Sequence, residues 1–370
     1  MKVLLLTRYS RMGASSRLRS FQYLPWLAEA GMTVDTQALF DDSYLRRLYA
    51  EGRTAWGRVL AGYLERLARL FEARQYELLI LEKELFPWLP ALGERLLQGL
   101  GVPFVVDYDD AIFHQYELSR NPLKRLLANK IDRVMAAASV VVCGNDYLAD
   151  RARAAGARQV ATIPTSVNLT RYPLRLPRPS AMVRVGWVGT PRTVHYLDML
   201  APVLKQLAER LPLELVVVGA QFKLPGLAVQ CLPWSEADEA DLISEFDIGV
   251  MPLADSPWER GKCAYKLIQT MACGRPVIGS RVGANCSVVE HGGNGFLASD
   301  EGEWRQALET LAQDPNLRLE LGLAGRRTVQ ERYSLHISGP IYTQLCLQAA
   351  RRQGQPLGAG EANPQTWRAQ

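Results

Sequence analysis

Two successive series of short apolar runs, each alternating with helical segments, predict an α/β protein of two doubly wound domains. Three observations carry that expectation. The runs are nearly continuously apolar, as in parallel strands buried on both faces. A proline-bearing stretch at 165–182, holding Pro173, Pro177 and Pro179, interrupts the series near mid-chain. The 370 residues, 48% hydrophobic and 22% charged, suffice for two ordinary cores and argue against disorder or a coiled coil.

In the first half the expected strands are Val3–Thr7, Met32–Thr36, Leu78–Leu81, Phe104–Asp107, Val140–Cys143 and Val160–Ile163. In the second they are Val183–Val188, Leu215–Val218, Val229–Leu232, Ile248–Met251 and Pro276–Gly279. The first strand leads into a helix expected to run to about Ala30. This organisation predicts an N-terminal domain at 1–170, a linker at 171–182 and a C-terminal domain at 183–335. A helix at 336–352 is expected to pack back on the N-terminal domain. The Gly- and Pro-rich tail at 353–370 is expected to be disordered.

In doubly wound sheets ligands bind beyond the carboxyl ends of the strands, which directs attention to the loops there. After the first strand, Gly13 permits close backbone approach and the following helix start favours an anion; Arg17 and Arg19 are equally readable as surface charges. After the fourth comes Asp107-Tyr108-Asp109-Asp110, then His114. Clustered carboxylates repel one another unless hydrogen-bonded or set to a task. Asp110 and His114 are therefore candidate catalytic residues, with helix capping by Asp109 or Asp110 a compatible structural role.

The second domain opens on a strand running into Gly189-Thr190-Pro191-Arg192, where backbone amides and the Arg192 guanidinium suit a phosphate. An amphipathic helix follows, with Leu197, Leu200, Leu204 and Leu207 on one face. Further on, Gly261-Lys262 opens a helix that carries Lys266 one turn later and Gln269 beyond it. Two lysines at a helix start would stabilise a departing diphosphate, and Gln269 can hydrogen-bond ribose hydroxyls.

These segments resemble the GT-B-fold glycosyltransferases of family 4, the group 1 transferases. The most specific part is FDIGVMPL, then GKCAYKLIQTMACGRPVIGS and GANCSVVEHGGNGFL; DYDDAIF, VVCGNDYLA and VGWVGTPRTVHYL extend it. The resemblance implies two Rossmann-like domains facing each other across a cleft, the acceptor on the first and the nucleotide sugar on the second. It also implies a retaining hexosyl transfer from a UDP- or GDP-linked donor, with no cofactor and no nucleotide-binding metal. Gly13, Gly189 and Thr190 would approach the diphosphate, Lys262 and Lys266 would flank the leaving group, and Gln269 would hold the ribose. Glu290 matches a common glutamate of the family. One departure is clear: the family's E-x7-E would place glutamates where this chain has Gly261 and Gln269. Two further readings stay open, a nucleotide-sugar epimerase or phosphorylase on the same fold and a non-catalytic nucleotide-sugar-binding subunit. No GxGxxG with a downstream acid supports an NAD-linked enzyme.

The net charge of +5 is uneven: 25 Lys+Arg against 18 Asp+Glu in 1–180, or +7, and 18 against 20 in 181–370, or −2. Leu45–Leu79 carries Arg46, Arg47, Arg53, Arg58, Arg66, Arg69 and Arg74 among apolar residues, and 121–135 adds Lys124, Arg125, Lys130 and Arg133. Such helices can lie on an anionic membrane, or they can simply be solvated faces above a core stripe. Membrane contact would suit a lipid-linked saccharide acceptor in polysaccharide assembly. No nucleic-acid partner is expected. The six scattered cysteines read as reduced thiols, and the apolar opening is too short for a signal peptide. A cytoplasmic protein, peripheral on the inner membrane face, is the expectation.

Overall fold

The computed structural model describes residues 1–51, 56–175 and 180–351; Arg53, Pro177, Pro179 and the tail from Gln353 lie outside the described residues. The chain divides into two compact units, one of Met1–Thr165 with the C-terminal stretch from Ser338, the other of Ser166–Ile337.

The first unit is built on six parallel strands: β1 (Lys2–Tyr9), β2 (Thr33–Phe40), β3 (Leu78–Glu82), β4 (Phe104–Tyr108), β5 (Val140–Cys143) and β6 (Val160–Thr162). Their order is β2-β1-β3-β4-β5-β6. β3, β4 and β5 are buried along their whole length, which is why they read as unbroken apolar runs. Succession reverses direction between β1 and β3, and that is the switch point of this sheet. The helix expected to reach Ala30 is broken into Ala14–Arg19, a 3-10 turn Phe21–Tyr23 and Leu24–Glu29. Pro25 lies in the first turn of the last piece, where its fixed φ and missing N–H are tolerated. From Ser338 onward the C-terminal helix belongs to this unit; Tyr342 stacks on Tyr23 at 4.4 Å and both are buried.

The second unit repeats the plan with β7 (Val183–Val188), β8 (Leu213–Val218), β9 (Ala228–Leu232), β10 (Ile248–Met251), β11 (Val277–Ser280) and β12 (Phe296–Ala298). All pairs are parallel, in the order β12-β11-β10-β7-β8-β9, so the switch point lies between β7 and β10. Leu197, Leu200, Leu204 and Leu207 are each fully buried, but not on one helix: the first two lie in a 3-10 stretch, Val194–Leu200, and the last two on the helix Ala201–Ala208. The sequence reading missed β12. Three residues between Gly-rich turns carry too little periodicity to announce a strand.

Candidate functional site

In the first unit the carboxyl ends of β1, β3 and β4 converge. At and just beyond the end of β3 stand Glu82-Lys83-Glu84, three consecutive charged residues that are all buried. Lys83 has φ +66°, a left-handed backbone costly for a side-chain-bearing residue and typical of functional sites. Its ammonium lies 2.8 Å from Asp109 Oδ1 and 3.7 Å from Asp110 Oδ2, and donates to Ser15 Oγ at 3.3 Å. Burial by itself would lower the Lys83 pKa, but Asp109, then Asp110 and Glu82, outweigh it and raise it. Burial likewise pushes Asp109 up, and Lys83 with hydrogen bonds from Lys83 and Ser15 brings it below its ordinary value. The pair is charged across the neutral range. Glu82 accepts from Ser16 Oγ at 2.5 Å and from the Arg8 N–H at 2.8 Å. Glu84 accepts from Lys130 at 2.5 Å and from the Tyr116 hydroxyl at 2.8 Å.

Several expectations meet a different geometry here. Arg17 and Arg19 are not surface charges. Both are buried, and Arg19 makes a two-pronged bond to Asp107 at 2.8 Å on each arm and donates to Ile163 O at 2.7 Å. Asp109 does not cap the next helix; that helix starts at His114 with Phe113 before it and no side-chain cap. His114 is buried, with Nδ1 2.6 Å from Glu117 and Nε2 2.9 Å from the Tyr147 hydroxyl. A ring bonded through Nε2 to Tyr147 and set against Glu117 is braced in place, so a catalytic role for His114 would require a partner to leave. Gly13 precedes the helix Ala14–Arg19, and a Cβ there would lie 2.5 Å from that of Tyr9. Packing alone therefore demands the glycine. Asp110 keeps a partly exposed carboxylate beside Lys83.

In the second unit the turn after β7 meets the helix Tyr265–Ala272, which follows β10. Lys266 sits over the Trp187 ring, 5.5 Å from its centre. A Cβ on Gly189 would fall 2.3 Å from Trp187 and 3.0 Å from Lys266 Cε. Only glycine lets the lysine stem cross this turn. Gly219, at φ +88°, closes in from the β8 edge, where a Cβ would lie 2.3 Å from Gly189 O and 3.2 Å from Trp234 Cβ. The helix carrying Lys266 starts after Ala264 in the left-handed region, with no side-chain cap. Lys262, half-buried, precedes it, and its N–H donates to Glu259 O at 3.0 Å. The buried Glu259 carboxylate accepts from the hydroxyls of Tyr196 and Ser256.

Two assignments need correction. The Gly189 N–H donates to Val218 O at 2.9 Å and the Thr190 N–H to Thr193 Oγ1 at 3.3 Å, so these amides already have acceptors. Arg192 is exposed on the same turn and supplies positive charge instead. Gln269 does not face the same way as Lys266. It is 2% exposed, and its amide donates at 2.9 Å to the Tyr172 hydroxyl, which in turn donates to Glu239 at 2.8 Å. Trp234 Nε1 completes that cluster with a 2.8 Å bond to Glu239. Glu290 is exposed in the loop before β12, and its N–H donates to Asn294 Oδ1 at 2.8 Å.

Sequence reasoning missed Lys83, Glu82 and Trp234. The three charges in Glu82-Lys83-Glu84, at the end of an apolar run, were the available signal for the first two. Among the described residues no group of three His, Cys, Asp or Glu side chains is arranged to hold a metal ion.

Residues 11–166 match the model of the glycosyl transferase 4-like domain, and residues 183–314 that of the glycosyl transferases group 1. A D-inositol 3-phosphate glycosyltransferase of Pseudarthrobacter chlorophenolicus is 26% identical over 152 residues, which span 40% of this chain and only 35% of that protein. Sucrose-phosphate synthase from Thermosynechococcus elongatus is similar in structure with a TM-score of 0.70, at 18% identity, over 94% of this chain and 98% of that one. The Anabaena protein HepE in complex with UDP gives 0.66 at 16% identity, over 94% of this chain and 100% of that one. At these identities the two structures show a shared fold.

Proposed function

The chain belongs to the group 1 glycosyltransferases of family 4, with the Rossmann-like domains of the GT-B fold, and on that premise we propose that it transfers a hexosyl sugar from a UDP- or GDP-linked donor to a saccharide acceptor with retention of configuration. One observation carries the reading: Lys266 crosses the Gly189 turn at the switch point of the second sheet. A cation there, beside an uncapped helix start, suits a diphosphate gaining charge as the glycosidic bond breaks. The HepE structures, one with UDP and another with UDP-glucose, support a uridine donor.

The acceptor hydroxyl would attack the anomeric carbon on the face from which the diphosphate departs. The bond from that carbon to the phosphate oxygen breaks, the new glycosidic bond forms, and the hydroxyl proton passes to the departing phosphate oxygen. Such a path asks little of a side-chain base. Lys262 and Lys266 would hold the leaving charge, and Arg192 would add to the local field. In the first unit Asp110, set beside Lys83 and Asp109, would take up acceptor hydroxyls. A lipid-linked acceptor at an anionic membrane fits the basic N-terminal half.

Thermal-shift measurement with UDP- and GDP-sugars tests donor binding, since a ligand of the folded state raises its stability. Transfer by Lys266→Ala at the wild-type rate would reject the leaving-group assignment. The neutral residues Gly261 and Gln269 at the two expected glutamate positions favour one second reading, a non-catalytic nucleotide-sugar-binding subunit. Donor binding without transfer to any of a broad acceptor panel would support it.

A further inference from the structure

At the carboxyl end of β1, beside β3, stands a guanidinium whose hydrogen-bond donors are unused. Arg8 Nε is buried without a partner, and the terminal amino groups, which donate to no described residue, stay open to solvent on a side chain 15% exposed. A guanidinium carries five N–H donors, and leaving them unpaired in a mostly buried place is costly. The nearest carboxylate oxygen, Glu84 Oε1, lies 3.6 Å from Arg8 Nη1, beyond hydrogen-bond reach, and it too is buried without a hydrogen-bond partner. Glu84 is held by its other oxygen, which accepts from Lys130 at 2.5 Å and from the Tyr116 hydroxyl at 2.8 Å. One carboxylate thus serves two cations, and Lys130 is the closer.

The other acids of this sheet edge are engaged elsewhere. Glu82 accepts from the backbone N–H of Arg8 rather than from its side chain, and burial pushes its carboxyl up. Asp109 and Asp110 face Lys83. Among the described residues Glu84 is the only carboxylate within ion-pair distance of the Arg8 side chain, so the open end of Arg8 carries a charge only partly met. Its surroundings are fixed. The Tyr9 ring centre lies 5.8 Å from the guanidinium carbon, and the buried Arg17 donates to Arg11 O at 3.2 Å, bracing the loop that follows. Trp88 is held, like Lys83, at positive φ, and its N–H donates at 3.2 Å to the same Tyr116 hydroxyl that binds Glu84. Tyr9 and Trp88 pack on one apolar cluster at the end of β2.

We infer that Arg8 is a recognition residue for an oxyanion, a phosphate or carboxylate group of the acceptor saccharide, gripped side by side by its two terminal amino groups. The place suits a ligand, since the switch point of the first sheet lies between β1 and β3. That the ligand is the acceptor rests on the proposed transfer, but the binding is measurable without it.

The test uses the full chain with glucose 6-phosphate, glucuronate and glucose as probes, followed by thermal shift and calorimetric titration. Saturating UDP is present, so that a diphosphate pocket in the second unit is already filled. At least one of the two anions should bind and raise the melting temperature, with glucose about tenfold weaker or worse; the tighter anion tells phosphate from carboxylate. Arg8→Gln should weaken that anion about tenfold or more. Arg8→Lys, which keeps the charge and loses the fork, should fall between. The inference is overturned if neither anion binds wild type, if glucose binds as well as they do, or if Arg8→Gln keeps wild-type affinity. Should Arg8→Gln melt too early to titrate, unchanged affinity in Arg8→Lys overturns it equally. Failure of UDP to bind would count against the transferase reading alone, and the titrations would then be run in Lys266→Ala, which lacks the second unit's proposed phosphate-holding cation.

Discussion

Lys266 shows how a residue's neighbours decide its chemistry. A lysine on an exposed helix face would be a solvated charge, but here its stem lies across Trp187 and a glycine turn. Lys266→Ala should lower turnover by roughly a hundredfold, the scale of removing one donor from a developing oxyanion. Steady-state kinetics with saturating donor checks this, and Lys266→Arg should not restore full rate because the planar head does not match a point charge. In the first unit Lys83 plays the counterpart, neutralising carboxylates in a left-handed backbone conformation. Lys83→Met should destabilise the fold by about 3 kcal/mol or more, because it removes the ammonium that stabilises the Asp109 carboxylate from 2.8 Å away. Chemical denaturation measures that loss.

At the scale of elements, two devices hold the second unit's site in place. The turns after β7 and β8 touch backbone to backbone, which is why Gly189 and Gly219 stand there. Gly189→Ala should cost about 1–3 kcal/mol by overpacking against Trp187, with donor affinity reduced as Lys266 is displaced. Denaturant midpoints and thermal shift with UDP-sugars report the two effects separately. Behind the turn, the helix Ala201–Ala208 buries Leu204 and Leu207 completely against the sheet. Leu204→Ala should cost about 2–5 kcal/mol through the cavity it leaves, with less effect on binding than Gly189→Ala.

Across the molecule, the pH response should follow the buried ion pairs. Asp109 has a folded pKa below its ordinary 3.8, so its stabilisation is full above that value and disappears as pH falls through the depressed one. Lys83 is raised above its ordinary 10.5, so its contribution is complete below that pH and is lost as pH climbs through the raised value. Stability from this pair should therefore be flat through the neutral range and fall in acid. Wild type should exceed Asp109→Asn in unfolding free energy at neutral pH, and the gap should close below about pH 4, as urea titrations across pH would show. Glu82 acts in the opposite sense: burial raises its pKa, so its charge opposes folding at neutral pH and less so in acid.

The eleven apolar runs already determined the two parallel sheets, because a strand buried on both faces has no polar positions to lose. The turn at Gly189 and the lysines near the start of the helix Tyr265–Ala272 were legible as local features, but not that the turn's amides are already taken by Val218 O and Thr193 Oγ1. Packing decided the rest. Gln269 and His114 looked available in sequence, yet tertiary contacts tie them to Tyr172, Glu117 and Tyr147. Arg19 and Asp107 stand 88 residues apart and become partners only when their elements meet. Burial inverts the cost of a charge, so whether a polar side chain is a tool or a brace depends on neighbours brought by the fold from elsewhere in the chain.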